Sequence, residues 1–390
     1  MRLKEFSNPS TAQVEHTLES AKTESQARIQ HAEDLVFWEG SKGALRALGA
    51  LRSLENNEHK KVTLKWDGSP GVVFGRNSSG EFILTDKSGW TAKGYNGKTT
   101  SGESLETMLL SRSGGKNKQN PNYRAFANQM RSIFDLFENA VSKQFRGFFK
   151  GDILYFTTPL IKNNNYVFKP NIVEYAIDVD SRLGKQIALS TTGVVIHQQM
   201  DLEGNNHPIK NLDVFQGTEV LVVPPVSVEK PAQVEREQAE KLEQIIQKNA
   251  NSIDQLFEQS TLVENKIKDF PKILYTYTNS KVDTGLENLG GDFFDWLEAQ
   301  TRITDRKKEN VKNHIQENAT AFRMLWIIVS GLSDIKNSII EQFDSHTNQV
   351  KQSMSGEKGG EGYVLAHPEG DIKLVPRQTF TRLNRAQERT

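Results

Sequence analysis

The side chains with the clearest chemical potential gather in Lys65-Trp66-Asp67-Gly68-Ser69-Pro70-Gly71. Val62 and Leu64 alternate with polar neighbours before this stretch, and Val72, Val73 and Phe74 form an apolar run after it. The pattern predicts two strands joined by an Asp-Gly and Pro-Gly turn. Lys65 then stands at the mouth of a sheet. A lysine there can be held against a bound ligand, and its amine is a nucleophile where burial or a second cation favours the neutral form. The same residues also fit an exposed lysine beside a hairpin turn. Carboxylate, aromatic and lysine side chains recur within predicted strands downstream, at Asp152, Phe168, Tyr175, Glu361 and Lys373.

Taken in order, these residues resemble the motifs of the covalent nucleotidyltransferases: DNA ligases, RNA ligases and mRNA-capping enzymes. Lys65-Trp66-Asp67-Gly68 resembles motif I, and Gly151-Asp152 followed by Ile153 and Leu154 resembles motif III, with Asp where Glu is usual and one methylene less reach. Tyr175, and after it Phe168, fits the place of the aromatic ring that lies against the purine. Glu361-Gly362-Tyr363-Val364 resembles motif IV, and Asp371-Ile372-Lys373-Leu374-Val375 resembles motif V.

The resemblance implies that Lys65 attacks the α-phosphorus of ATP, with GTP as the other candidate, and carries the nucleotide as a phosphoramide. Lys373 would neutralise charge on the α-phosphate, Glu361 and Asp152 would hold Mg2+, and Asp67 and Gly68 would shape the turn that aims the lysine. Arg76 and Lys87 would reach the ribose and the polynucleotide end, and the nucleotide would pass to a 5′-phosphate of RNA or DNA. Two departures stand out. Pro70 and Gly71 occupy the region where an Arg is usual, and Val375 replaces a second motif V lysine, leaving Arg377 as its substitute. A ligase-fold protein that has lost turnover and handles nucleic acid or phage assembly, and a transferase that modifies proteins, are the alternative expectations.

Across 390 residues, Lys plus Arg and Asp plus Glu balance at 49 each, so no global field favours nucleic acid or membrane. The absence of cysteine excludes a disulfide framework, cysteine-ligated zinc and a thiol nucleophile. The first residues lack an apolar signal core, and the run Met324–Val329 is too short to span a bilayer, so a cytoplasmic location without membrane partners is expected. His31-Ala32-Glu33-Asp34 and Lys373-Leu374-Val375-Pro376-Arg377 also resemble an uncharacterised family of tailed-phage proteins. That resemblance implies host cytoplasm and a phage protein partner.

The elements that must position these residues follow from periodicity. The expected fold is α+β, an antiparallel-sheet nucleotidyltransferase core of the ligase adenylation type with a large helical insert. The segments are an N-terminal helical region over 1–60, the first part of the core over 61–225, the insert over 226–349 with about four to six helices, and the last core strands over 350–390. Gly40 and Gly43 interrupt the helical pattern near the start, where His31 and Glu33 read as helix caps. Helices are predicted over 101–112 and 121–143.

Three further features read as structural. Ala92–Thr99 satisfies a loose P-loop pattern but does not follow a strand. Asp178-Val179-Asp180 reads as a turn, and His197 as a strand histidine satisfied by its surroundings. The basic runs Lys266-Ile267-Lys268 and Arg306-Lys307-Lys308 read as solvated faces with a possible nucleic-acid role.

Overall fold

The computed structural model describes residues 30–91, 99–207, 209, 212–224, 227–228, 230–281, 289–346, 350–354 and 356–378. β1 (Gln30–His31) leads into α1 (Leu35–Ser53), which breaks at Gly40 with φ 61°. A Cβ at Gly40 would lie 2.4 Å from Asp254 Oδ1, and that carboxylate accepts instead from the Ser41 N–H and hydroxyl, both at 2.8 Å. The glycine thus ends one helical piece, and Asp254 caps the next.

There follow β2 (Val62–Leu64), β3 (Gly71–Arg76), β4 (Phe82–Asp86), α2 (Lys87–Thr91), α3 (Gly102–Ser111) and α4 (Pro121–Ala140). Ser101 and Ser104 form a capping box for α3, while Asn120 caps α4 with Pro121 in its first turn. The next elements are β5 (Gly147–Tyr155), β6 (Leu160–Lys162), β7 (Asn165–Phe168), β8 (Glu174–Asp178), α5 (Arg182–Ala188), β9 (Thr192–Met200), β10 (Asn206–His207) and β11 (Val220–Val223). The expected insert contains α6 (Arg236–Leu256), α7 (Gln259–Glu264), α8 (Phe270–Ser280), α9 (Phe293–Glu298), α10 (Asp305–Glu317) and α11 (Ala319–His346). β12 (Lys351–Met354), β13 (Glu357–Lys358), β14 (Tyr363–Leu365) and β15 (Ile372–Leu374) complete the described chain.

The fold is mixed α+β and divides into two compact units. The first comprises the described residues of Met1–Thr63, Ser227–His346 and Gly362–Thr390, the second those of Leu64–Val226 and Thr347–Glu361. The segment expected to hold the last core strands, 350–390, is divided between the units after Glu361. The reason is strand pairing. β12 pairs with β8, whereas β14 and β15 join β1 and β2 in a four-stranded sheet.

In the first unit the helices enclose an ionic cluster. Glu33 and Lys336 are both fully buried and meet at 2.6 Å, and Arg377 Nη1 donates to Asp34 Oδ1 at 2.8 Å. Burial pushes the Glu33 carboxyl up, but the charges of Lys336, His31 and Arg377 outweigh it and hold the group down at about 2. Burial, followed by the charge of Arg377, lowers His31 well below the usual histidine range.

The second unit is built on two sheets. One is six-stranded, ordered β10-β9-β5-β3-β4 with β11 parallel to β9, and the other is five-stranded, ordered β13-β12-β8-β7-β6. Strand alternation divides the first sheet into two chemically different faces. Val72, Phe74, Phe82, Leu84, Phe149, Ile153, Val194 and Ile196 pack with Leu105, Leu109, Met130, Ile133, Phe134 and Phe137 of α3 and α4. The other face carries Gly71, Val73, Lys150, Asp152 and His197, with a small apolar cluster of Val73, Ile83, Phe148 and Met200 against Trp90.

Candidate functional site

The turn after Lys65 is fastened to both sheets of its unit. Trp66 is buried, with its ring centroid 4.7 Å from that of Tyr175. The Asp67 carboxylate accepts from Asn171 Nδ2 at 2.9 Å and from the N–H groups of Ile172 and Val173 at 2.6 and 3.0 Å, which ties it to the loop between β7 and β8. Its own N–H donates to the Tyr175 hydroxyl. On the other side, Ser69 N–H donates to Ile153 O at 2.9 Å and Ile153 N–H to Pro70 O at 3.0 Å. A Cβ on Gly68 would lie 2.5 Å from Asp152 Cβ, so only glycine lets the turn pass this close to β5.

Held in this way, the half-buried Lys65 side chain forms an ion pair through Nζ with Oε2 of Glu361, a residue 296 positions away in the chain. Glu361 is itself buried. It reaches this place because β12 pairs with β8, the strand that supplies Tyr175.

Further residues with chemical capacity lie on the polar face of the six-stranded sheet. Asp152 is opposite Gly71, and its Oδ2 lies 2.9 Å from His197 Nε2, both side chains being partly exposed. Lys150 lies opposite Val73 and is half-buried; burial, followed by the charge of Lys87, lowers its pKa. Among the described residues no three acidic or histidine side chains cluster as a metal site. Mg2+ needs only one or two protein carboxylates when a nucleotide supplies phosphate oxygens, and Glu361 and Asp152 have the required hard oxygen donors.

The second unit thus contains Lys65, Asp67, Gly68, Arg76, Lys87, Asp152, Phe168, Tyr175 and Glu361, whereas Lys373 belongs to the first, on β15 opposite Val364 and His31. Four sequence expectations change. Arg76 does not face a ligand: it is buried at the far end of β3, where its guanidinium donates to the carbonyls of Gly80, Glu138, Val141 and Ser142. Tyr175 offers no face to a base, being fully buried between Trp66 and Phe168, and burial pushes its phenol pKa up. Phe168 is likewise core, stacked on Tyr175 and edge-on to Tyr155. Arg377 is committed to Asp34 and Asn279 rather than replacing a motif V lysine.

His197 stands on β9 as a satisfied strand histidine, partly exposed and with its Nε2 2.9 Å from Asp152 Oδ2. Neither His31 nor Glu33 caps a helix by its side chain; Glu33 pairs with Lys336. Asp178 does form the expected turn, accepting from the Asp180 N–H at 2.8 Å. In the basic run of the helical region, Lys307 pairs with Asp269, and Lys308 is buried with its ammonium donating to Glu298 O. The P-loop-like stretch falls, except for Thr99, outside the described residues.

Sequence reasoning passed over Lys150 and Asn171. The lysine is marked only as a polar interruption of Phe148-Phe149-Lys150-Gly151, and Asn171 becomes meaningful only through Asp67, a partner remote in sequence.

Among the described residues no helix is long and apolar enough to cross a membrane. No curated protein and no solved structure matches the chain. A family profile matches residues 26–96 and 116–389, and the chain therefore belongs to the family of unknown function DUF6267.

Proposed function

We propose that the second unit is a nucleotidyltransferase core in which Lys65 becomes covalently linked to a nucleoside monophosphate, with ATP as donor and an RNA or DNA 5′-phosphate as acceptor. The observation that carries this reading is the pairing of Lys65 with Glu361. The motif I lysine and the motif IV glutamate, inferred separately from segments 296 residues apart, meet as an ion pair within one unit.

Chemically, Lys65 Nζ attacks the α-phosphorus, a P–N bond forms, and the P–O bond to pyrophosphate breaks. Starting from the ammonium, two protons leave Nζ. One must depart to expose the lone pair, and Glu361 Oε2 is the acceptor in contact with it; the other departs as the P–N bond forms and passes to solvent. Asp67 and Gly68 hold the turn rather than touch the nucleotide, and Asp152 presents a carboxylate to a ribose hydroxyl. Mg2+ on Glu361 or Asp152 would supply charge neutralisation for the phosphates.

The test is incubation of the purified protein with Mg2+ and α-labelled ATP or GTP, followed by denaturation. Label that remains on the wild-type polypeptide, is lost in Lys65→Ala and is released by acid is expected. Absence of label with both nucleotides refutes nucleotidyl transfer by this chain.

A further inference from the structure

We infer that Lys87 and Lys150 form a phosphate subsite on the polar face of the six-stranded sheet, with the bare backbone of Gly71 as its floor, which takes the terminal phosphates of a nucleoside triphosphate. The inference deepens the nucleotidyltransferase reading and rests on it for the identity of the donor.

Strand register sets the geometry of the subsite. Val72 is opposite Asp86, so Lys87, the next residue, comes level with Gly71, whose other cross-strand partner is Asp152. A Cβ added to Gly71 would have Lys87 Cβ and Cδ at 3.7 and 3.9 Å on one side and Asp152 Oδ1 at 3.1 Å on the other. Glycine therefore leaves a gap between a lysine and a carboxylate. One step along β3, Val73 is opposite Lys150, which adds a second ammonium to the same face.

Charge then selects the ligand. Asp152 Oδ2 is engaged by His197, and among the described residues neither the Lys87 nor the Lys150 ammonium makes an ion pair or hydrogen bond. A half-buried cation beside another cation, without a counter-ion, is unfavourable until an anion arrives. Polyphosphate oxygens supply several negative charges within a few ångströms, and lysine is well suited to them as a point charge. The polarity also matches a nucleotide, with the Asp152 carboxylate for hydroxyl groups on the β5 side of Gly71 and the Lys87 ammonium for phosphates on the β4 side.

The experiment is calorimetric titration of the full chain with inorganic tripolyphosphate, run on wild type, Lys65→Ala, Lys87→Met, Lys150→Met and Lys150→Arg. Lys65→Ala separates this site from the covalent step. Wild type, Lys65→Ala and Lys150→Arg should bind alike, while Lys87→Met and Lys150→Met should each weaken binding roughly tenfold or more, as expected for loss of a charge-assisted contact. Thermal melts check folding, and the exposed Lys87 provides a variant with no core to disturb. Unchanged tripolyphosphate binding in Lys87→Met and Lys150→Met, or no binding by wild type, overturns the subsite. Lysine-dependent tripolyphosphate binding in a protein that never acquires nucleotide label upholds the subsite and removes the transferase reading alone.

Discussion

Replacing Asp67 tests whether the acidic residue of the Lys65 turn acts by structure or by touching a ligand. Its carboxylate is almost fully buried and accepts three hydrogen bonds, two of them from the backbone N–H groups of Ile172 and Val173. Hydrogen bonds to a charged acceptor contribute about 1.5–3 kcal/mol each, and a buried donor left without an acceptor costs about 1–3 kcal/mol. Asp67→Ala orphans two backbone donors and one amide together. With partial relief from water entering the space, the expected loss is roughly 3–5 kcal/mol. Asp67→Asn should lose only about 1–2 kcal/mol, because one oxygen still faces the two N–H groups and Asn171 can turn its own oxygen toward the new amide.

Urea unfolding, together with hydrogen exchange of the peptide spanning 165–178, measures both effects. The amides of Ile172 and Val173 should exchange markedly faster in Asp67→Ala and only slightly faster in Asp67→Asn. An Asp67→Ala protein that unfolds at the wild-type urea concentration, with those amides still protected, would refute the reasoning.

The remaining predictions concern buried charged groups. Lys336→Met should destabilise the protein by about 3–5 kcal/mol by removing the hydrogen-bonded partner of the buried Glu33 carboxylate and leaving it only Arg377 at 3.6 Å, and adding Glu33→Gln should restore much of that loss; chemical denaturation of the single and double variants measures it. Because the folded Glu33 is held at about 2 against an ordinary 4.5, its contribution is present above pH 4.5 and disappears as the pH falls toward 2. It is on the order of 3 kcal/mol and should vanish from the acid-unfolding curve of Glu33→Gln. Arg76→Met should lower the urea midpoint, since Arg76 satisfies carbonyls at the end of α4, and Arg76→Lys should not restore it because an ammonium cannot reproduce the guanidinium fork. Calorimetry on the folded variants should show tripolyphosphate affinity unchanged.

Much of the local structure was legible in the residues themselves. Alternation around Val62–Leu64 and Val72–Phe74 marked the strands, helical periodicity over 101–112 and 121–143 marked α3 and α4, and Gly40 marked a helix break. These signals are local: side-chain period and backbone freedom act within a few residues. The Lys65 turn was legible for the same reason.

What those residues do was decided by packing. Arg76, Tyr175 and Phe168 have types that suit a ligand pocket, yet each is taken up by the interior, because a buried guanidinium must satisfy carbonyls and large rings gain most by leaving water. Lys150 and His197 moved the other way, from unremarkable strand positions to the polar face, because α3 and α4 cover only one side of the sheet. The sequence by itself determined the strands, the helix boundaries and the turn that carries Lys65. Only tertiary structure brought Glu361 to Lys65 across 296 residues and divided the final strands between two units, since strand pairing and burial depend on partners that local pattern does not specify.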